Sequence, residues 1–263
     1  MPNALKGVSG NKNVMSSNIV FKLPFVIYLI FHTNSIYRFF YSFIFFVASL
    51  DIFLLSSRAS FISTFLVLIF FIIYLIYNYK VYAFKSFLYF IIPISFLAYC
   101  ISYTSNIKSI SFENRISSIS SNDTSASHRI TLYENAIDYI YNNPFIGCGI
   151  GNWKVESLPY WKSKLTGYTV PYHAHNDFLE LSTEIGLIGG IFYLLVFISI
   201  FYISFNLIKK NSFYGILLLS SLMVYLIDAS LNFPLERALS QVNFIILILI
   251  SYFFYTRNEK LSN

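Results

Sequence analysis

YHAHNDFLELSTEIGLIGG, residues 172–190, runs from reactive polar groups straight into a membrane-grade apolar segment. His173, His175, Asn176, Asp177, Glu180 and Glu184 crowd its first half, and apolar sequence then continues to about residue 208. Carboxylates and imidazoles are costly at or below a bilayer surface unless something pairs or uses them. The stretch therefore points to a helical membrane protein with its chemistry gathered at one membrane edge.

Composition agrees. Of 263 residues, 56% are hydrophobic and 11% charged, against roughly 25% charged in a soluble domain. Apolar runs follow one another at 19–31, 39–55, 61–77, 83–103, 178–208, 213–231 and 242–255. An all-α polytopic bundle of about seven transmembrane spans follows. The first run is short and carries Lys22 and Pro24; the fourth carries Pro93 as an expected kink. The fifth exceeds the roughly 20 residues that a span needs, so its first turns are expected at the interface or re-entrant. The net charge of +6 is read as topology and headgroup contact, not as a nucleic-acid footprint. Two cysteines, Cys100 and Cys148, make neither a disulfide framework nor a metal site.

Basic residues in short loops set orientation. With the long loop at 104–175 placed outside, the inner loops carry Arg38, Lys80 and Lys85, Lys209 and Lys210, then Arg257 and Lys260. The outer short loops carry only Arg58 and Arg237. The expected parts are membrane spans at 1–103, a loop at 104–176, spans at 177–256 and a cytoplasmic tail at 257–263. This topology leaves the N-terminus outside with no upstream helix, so the chain is expected to be the C-terminal part of a longer protein.

In the long loop, residues 106–127 are serine-rich. Ser125 or Ser127 is a candidate cap for a helix at about 128–141. Ile130, Tyr133, Ile137 and Ile140 share one apolar face of it, suited to the bilayer surface. Asn142-Asn143-Pro144 ends it. Gly147, Gly149 and Gly151 follow, but without the flanking strand and spacing of a nucleotide fingerprint. A tight turn allowing positive φ is the better reading. His173, His175, Asp177 and Glu180 are metal-ligand types, yet their spacing suits an extended segment and no second ligand cluster exists. They read instead as hydrated interfacial groups or as a general base needing an orienting partner from Asn176, Asp177, Glu180 or Glu184. Arg58, Arg129 and Arg237 fall on the outer side. Arginine matches phosphate oxygens by bidentate hydrogen bonds, so the set suggests a diphosphate ligand.

Together these residues resemble the O-antigen ligase family, the Wzy-C superfamily of bacterial polysaccharide ligases and polymerases. The resemblance is carried by His175-Asn176 followed after nine residues by Gly186-Leu-Ile-Gly189. It is carried also by Arg129 with Tyr133, Ala136, Asn143-Pro144-Phe145 and the glycine turn, by Ser57-Arg58-Ala59, and by Gly10-Asn11-Lys12-Asn13. The family usually has Trp near Tyr133. The resemblance implies a GT-C-like helical bundle in the bacterial inner membrane, with one large periplasmic loop and an active site facing the periplasm. It implies an inverting, metal-independent glycosyltransferase that needs no cofactor. The donor would be a glycan on undecaprenyl diphosphate. The acceptor hydroxyl would belong to lipid A–core, to another glycan, or to protein in a protein O-oligosaccharyltransferase. Carried over, His175 would be the general base, and Arg58 and Arg129 would hold the diphosphate. Arg237 as a third contact, and Asn176 fixing the imidazole, extend that reading, with Asp177, Glu180 and Tyr133 in support. A transporter of lipid-linked sugars, or an inactive fragment, are the readings of another class.

Overall fold

The computed structural model describes residues 10–78, 80–104, 124–161 and 172–262, and every regular element among them is helical. The long helices are α1 (Lys12–His32), α2 (Ser35–Leu55), α3 (Arg58–Asn78), α4 (Lys80–Thr104), α5 (Thr124–Asn142), α7 (Asp177–Lys209), α8 (Phe213–Leu231) and α9 (Ala238–Ser262). A single turn, α6 (Trp153–Glu156), and 3-10 turns at Leu158–Trp161 and Pro234–Glu236 complete the described elements. Six helices are long and apolar enough to cross a membrane: α1, α2, α3, α7, α8 and α9. The protein is thus a polytopic helical membrane protein. Of the expected fourth span, α4 contributes an apolar stretch of only Phe90–Ile101 among the described residues, and the side chains of residues 80–89 lie outside them.

The chain forms two compact units. The first comprises Met1–Ile119, Ile200–Tyr225 and Leu239–Asn263. In it α1 packs on α2 and α3, and α4 packs on α2 and α3. α1 starts at Lys12, well before the apolar run at residue 19. Asn11 caps it, its side chain accepting from Asn13 N at 2.9 Å. The polar lead is helical because its side chains are bonded inside the bundle. Asn18 Nδ2 donates to Val14 O at 2.7 Å and to Ser240 Oγ at 3.1 Å, and Asn18 Oδ1 accepts from Asn243 Nδ2 at 2.6 Å. Serines fill further buried positions, including Ser42, Ser63, Ser204 and Ser220. Small residues of this kind let membrane helices approach closely. Phe39, Phe43, Phe65, Phe201, Tyr202 and Phe253 point outward instead, as side chains facing lipid do.

The second unit comprises Ser120–Ser199 and Leu226–Ala238. Its small core joins Ala136 and Tyr139 of α5, Trp153 of α6 and Ala174, with Cys148, Tyr160 and Leu179 against them. α5 begins at Thr124, four residues before the expected start, because Thr-Ser-Ala-Ser adds nothing to an apolar pattern. The serine-rich stretch up to residue 123 and the side chains of the candidate caps lie outside the described residues. The expected apolar face, which carries Ile130 and Ile137, is distinct from the face that packs inside the unit. Leu132, Asn135, Ala136 and Tyr139 are buried, whereas Ile130 and Ile137 are more than half exposed. Periodicity weights large side chains, but this core selects small Ala136 for close approach to Trp153.

Candidate active site

The site grows from the start of α7. Asn176 is the natural cap: its Oδ1 accepts from Phe178 N at 3.0 Å and Leu179 N at 3.1 Å. An N-cap satisfies amides that a helix leaves unpaired. Asn176 therefore has its oxygen spent on the helix, and its side chain also hydrogen-bonds Tyr133. One turn on, Glu180 reaches back over the loop. Its Oε1 takes His173 Nδ1 at 2.8 Å and its Oε2 accepts from Ala174 N at 2.8 Å. The His173–His175 segment is thus clamped to the helix that follows it.

His175 sits in the left-handed region at φ 55°, which non-glycine residues rarely occupy. Tyr133 of α5 holds that conformation, its hydroxyl lying 3.2 Å from His175 O and 3.0 Å from Ser230 O. Burial pushes the Tyr133 phenol up, so it remains a donor.

Phe233 is the anchor that sequence reasoning missed. His173 stacks on its ring at 4.3 Å and 14°, and His175 meets it edge-on at 4.9 Å and 83°. The Arg237 guanidinium lies 4.6 Å from the same ring centre, a cation–π arrangement. Asp177 fixes this turn to α7, accepting from Leu235 N at 3.1 Å and Tyr193 Oη at 3.4 Å. The only sequence signal for Phe233 was its place in Asn-Phe-Pro, four residues before Arg237.

Burial pushes the His175 imidazole down to about 4, and the Arg129 charge, then His173, His128 and Arg237, push in the same direction. The group is neutral at pH 7. Its Nδ1 is buried and has no hydrogen-bond partner among the described residues, and neither has Arg237 Nε. Leaving such a group unpaired costs about 1–3 kcal/mol. Within this unit Arg129, Arg237 and His175 therefore act on one another, with Tyr133, Asn176, Asp177 and Glu180 supporting. Arg58 opens α3 in the other unit. Among the described residues, no group of three or more His, Cys, Asp or Glu is placed to hold a metal ion.

The glycine turn has a structural task. α7 is broken at Ile185 (φ −121°, ψ 17°) and Gly186 (φ 75°, ψ 172°). The break frees backbone groups, and the turn takes them up. Cys148 N donates to Thr183 O at 2.9 Å, Gly149 N to Glu184 O at 2.7 Å, and Leu187 N to Pro144 O at 2.8 Å. A Cβ on Gly147 would lie 2.5 Å from Thr183 O, and one on Gly186 would collide with Phe145 O. Glu184 Oε1 then accepts from Trp153 N at 3.4 Å. The expected turn at positive φ is present, with Gly147, Gly149 and Gly151 at φ 68°, 91° and 76°. The first turns of α7 are set off from residues 187–209, which alone exceed the roughly 20 residues of a span.

No curated protein matches the chain. A family model described as O-Antigen ligase matches residues 43–194, more than half of the chain. The match takes in Arg58, Arg129, Tyr133 and the whole 172–190 stretch, and leaves Arg237 outside. On that match, over the histidine loop, the glycine turn and the broken helix it docks into, the chain belongs to the O-antigen ligase family.

Proposed function

We propose that the protein is a membrane glycosyltransferase that moves a glycan from undecaprenyl diphosphate to an acceptor hydroxyl at the periplasmic face of the bacterial inner membrane. The observation that carries the reading is a neutral, half-buried His175 under the charges of Arg129 and Arg237. His175 accepts the acceptor's hydroxyl proton as the new carbon–oxygen bond forms at the anomeric carbon. The bond from that carbon to the diphosphate breaks on the opposite face, inverting the centre. The electron pair leaves with the diphosphate, whose charge the arginines hold. Arg58 enters as a further diphosphate contact by the family resemblance alone. A diphosphate is already a good leaving group, so the chemistry asks for no metal, and transfer is expected to survive chelators.

The imidazole is a weak base first because it is buried, and then because positive charge, Arg129 foremost, faces it. An arriving diphosphate offsets the arginine charges and lifts their part of the depression, while the part due to burial stays, so donor binding makes the base stronger. Loss of a positioned base costs about 10²–10⁴-fold. His175→Ala should lose transfer by that factor in purified protein at normal levels; near-full transfer would remove the central claim. Arg129→Lys should rescue poorly, because an ammonium cannot make the bidentate contact. Lipopolysaccharide banding in a deletion strain separates the two acceptor readings. Loss of all long chains indicates a ligase, and capping with a single repeat indicates a polymerase.

A further inference from the structure

His173 also lines a space that the chemistry above does not use. This cavity of about 300 Å³ is lined by Lys154, Tyr172, His173, Glu180, Glu184 and Glu236, together with Gly151. Its volume is at the lower end of the roughly 300–1,000 Å³ of small-molecule sites, which suits one sugar ring better than a lipid or an oligomer.

The lining is specific in its chemistry. Carboxyl oxygens accept hydrogen bonds, so Glu180, Glu184 and Glu236 match vicinal hydroxyls or an ammonium and are a poor match for phosphate or carboxylate. Two of them are rigid. Glu180 is 7% exposed with each oxygen held by the loop, and Glu184 is 5% exposed and tied to Trp153 N. Each carboxylate still has free lone pairs, since its two oxygens offer about four acceptor sites. Lys154 and Glu236 are exposed, and Tyr172 is 59% exposed, an aromatic surface for the apolar face of a ring. His173, which forms one wall, is two residues from His175 and shares its packing on Phe233.

We propose that this cavity holds the sugar ring that carries the acceptor hydroxyl, and that it takes neutral or amine-bearing rings and rejects anionic ones. The acceptor role rests on the transferase reading; the binding of the ring does not. With three carboxylates against one ammonium and one imidazole, the cavity is the wrong site for the donor diphosphate. Donor and acceptor are therefore held by groups of opposite charge.

The test uses the full chain in detergent and saturation-transfer NMR with glucosamine, glucose and glucuronate at millimolar concentration. Glucosamine and glucose should receive magnetisation, and glucuronate several-fold less. Tyr172→Ala should lower all signals, and Glu236→Gln should narrow the preference for glucosamine over glucuronate. Absence of transfer to every sugar, a dominant glucuronate signal, or signals untouched by both variants would each overturn the site. In turnover, Glu236→Gln should raise KM for the acceptor by about tenfold, the order expected for one charge-assisted hydrogen bond, with KM for the donor unchanged. If the rings bind as stated while His175→Ala keeps full transfer, the transferase reading falls and the cavity stands. If transfer depends on His175 but acceptor KM ignores Glu236 and Tyr172, the acceptor role falls.

Discussion

At the scale of the residue, the loop separates two histidines that look alike in sequence. His173 has a carboxylate on Nδ1, a ring beneath it and a cavity in front of it. His175 has an unpartnered Nδ1 and an imidazole held down at about 4 by burial and arginine. A base acts in its unprotonated form, so free enzyme keeps a working His175 as the pH falls until about 4. Once a diphosphate neutralises Arg129 and Arg237, that value rises. The acid limb of kcat/KM, which reports free enzyme, should therefore lie below the limb of kcat, which reports the complex. Coincident limbs would show that donor charge does not reach His175. None of this coupling was legible in the sequence: the residue types were visible, but Arg129, the 173–175 histidines and the Phe233–Arg237 turn are far apart along the chain. The cap role of Asn176 has a local reason, since an Asn before a helix finds unpaired amides close by.

At the scale of the element, the decisive feature is a helix that is broken and repaired. Gly186 at φ 75°, ψ 172° is in a region essentially reserved for glycine. The amides of Cys148 and Gly149 and the carbonyl of Pro144 complete the broken ladder. Gly151 is also at positive φ (76°), but a Cβ there meets nothing within 4 Å. Gly151→Ala should then cost only left-handed strain, about 1–2 kcal/mol. Gly186→Ala must also displace the backbone of Phe145 and should cost distinctly more. Thermal unfolding of the two variants in detergent ranks them, and equal losses would show that the docked turn contributes little. The sequence announced both partners, as Gly-x-Gly-x-Gly and as Gly-x-x-Gly, yet not that one fits into the other. The packed face of α5 escaped the sequence for a related reason: a core built on Ala136 hides from a pattern that counts bulk.

At the scale of the whole molecule, the chain is a set of membrane helices with polar chemistry gathered in the unit of Ser120–Ser199 and Leu226–Ala238. The basic-residue bias predicts that Glu156→Cys and Lys210→Cys react with an impermeant maleimide from opposite faces of the membrane, in a background lacking Cys100 and Cys148. Labelling of both from the same face would remove the crossing between them, and labelling from swapped faces would reverse the orientation. Hydrophobic length and charge bias are local properties, carried by every residue of a run, so the sequence by itself determined the helical membrane class, the positions of six spans and the stretch that holds the reactive groups. It misplaced the start of α1 because the polar residues there are buried on partners more than 200 positions away. Only the tertiary structure decided which arginines act on His175, that Phe233 joins the histidines to Arg237, and that a carboxylate-lined cavity stands beside them. Those facts depend on close approach between segments distant in the chain, and no window of sequence contains both sides of such a contact.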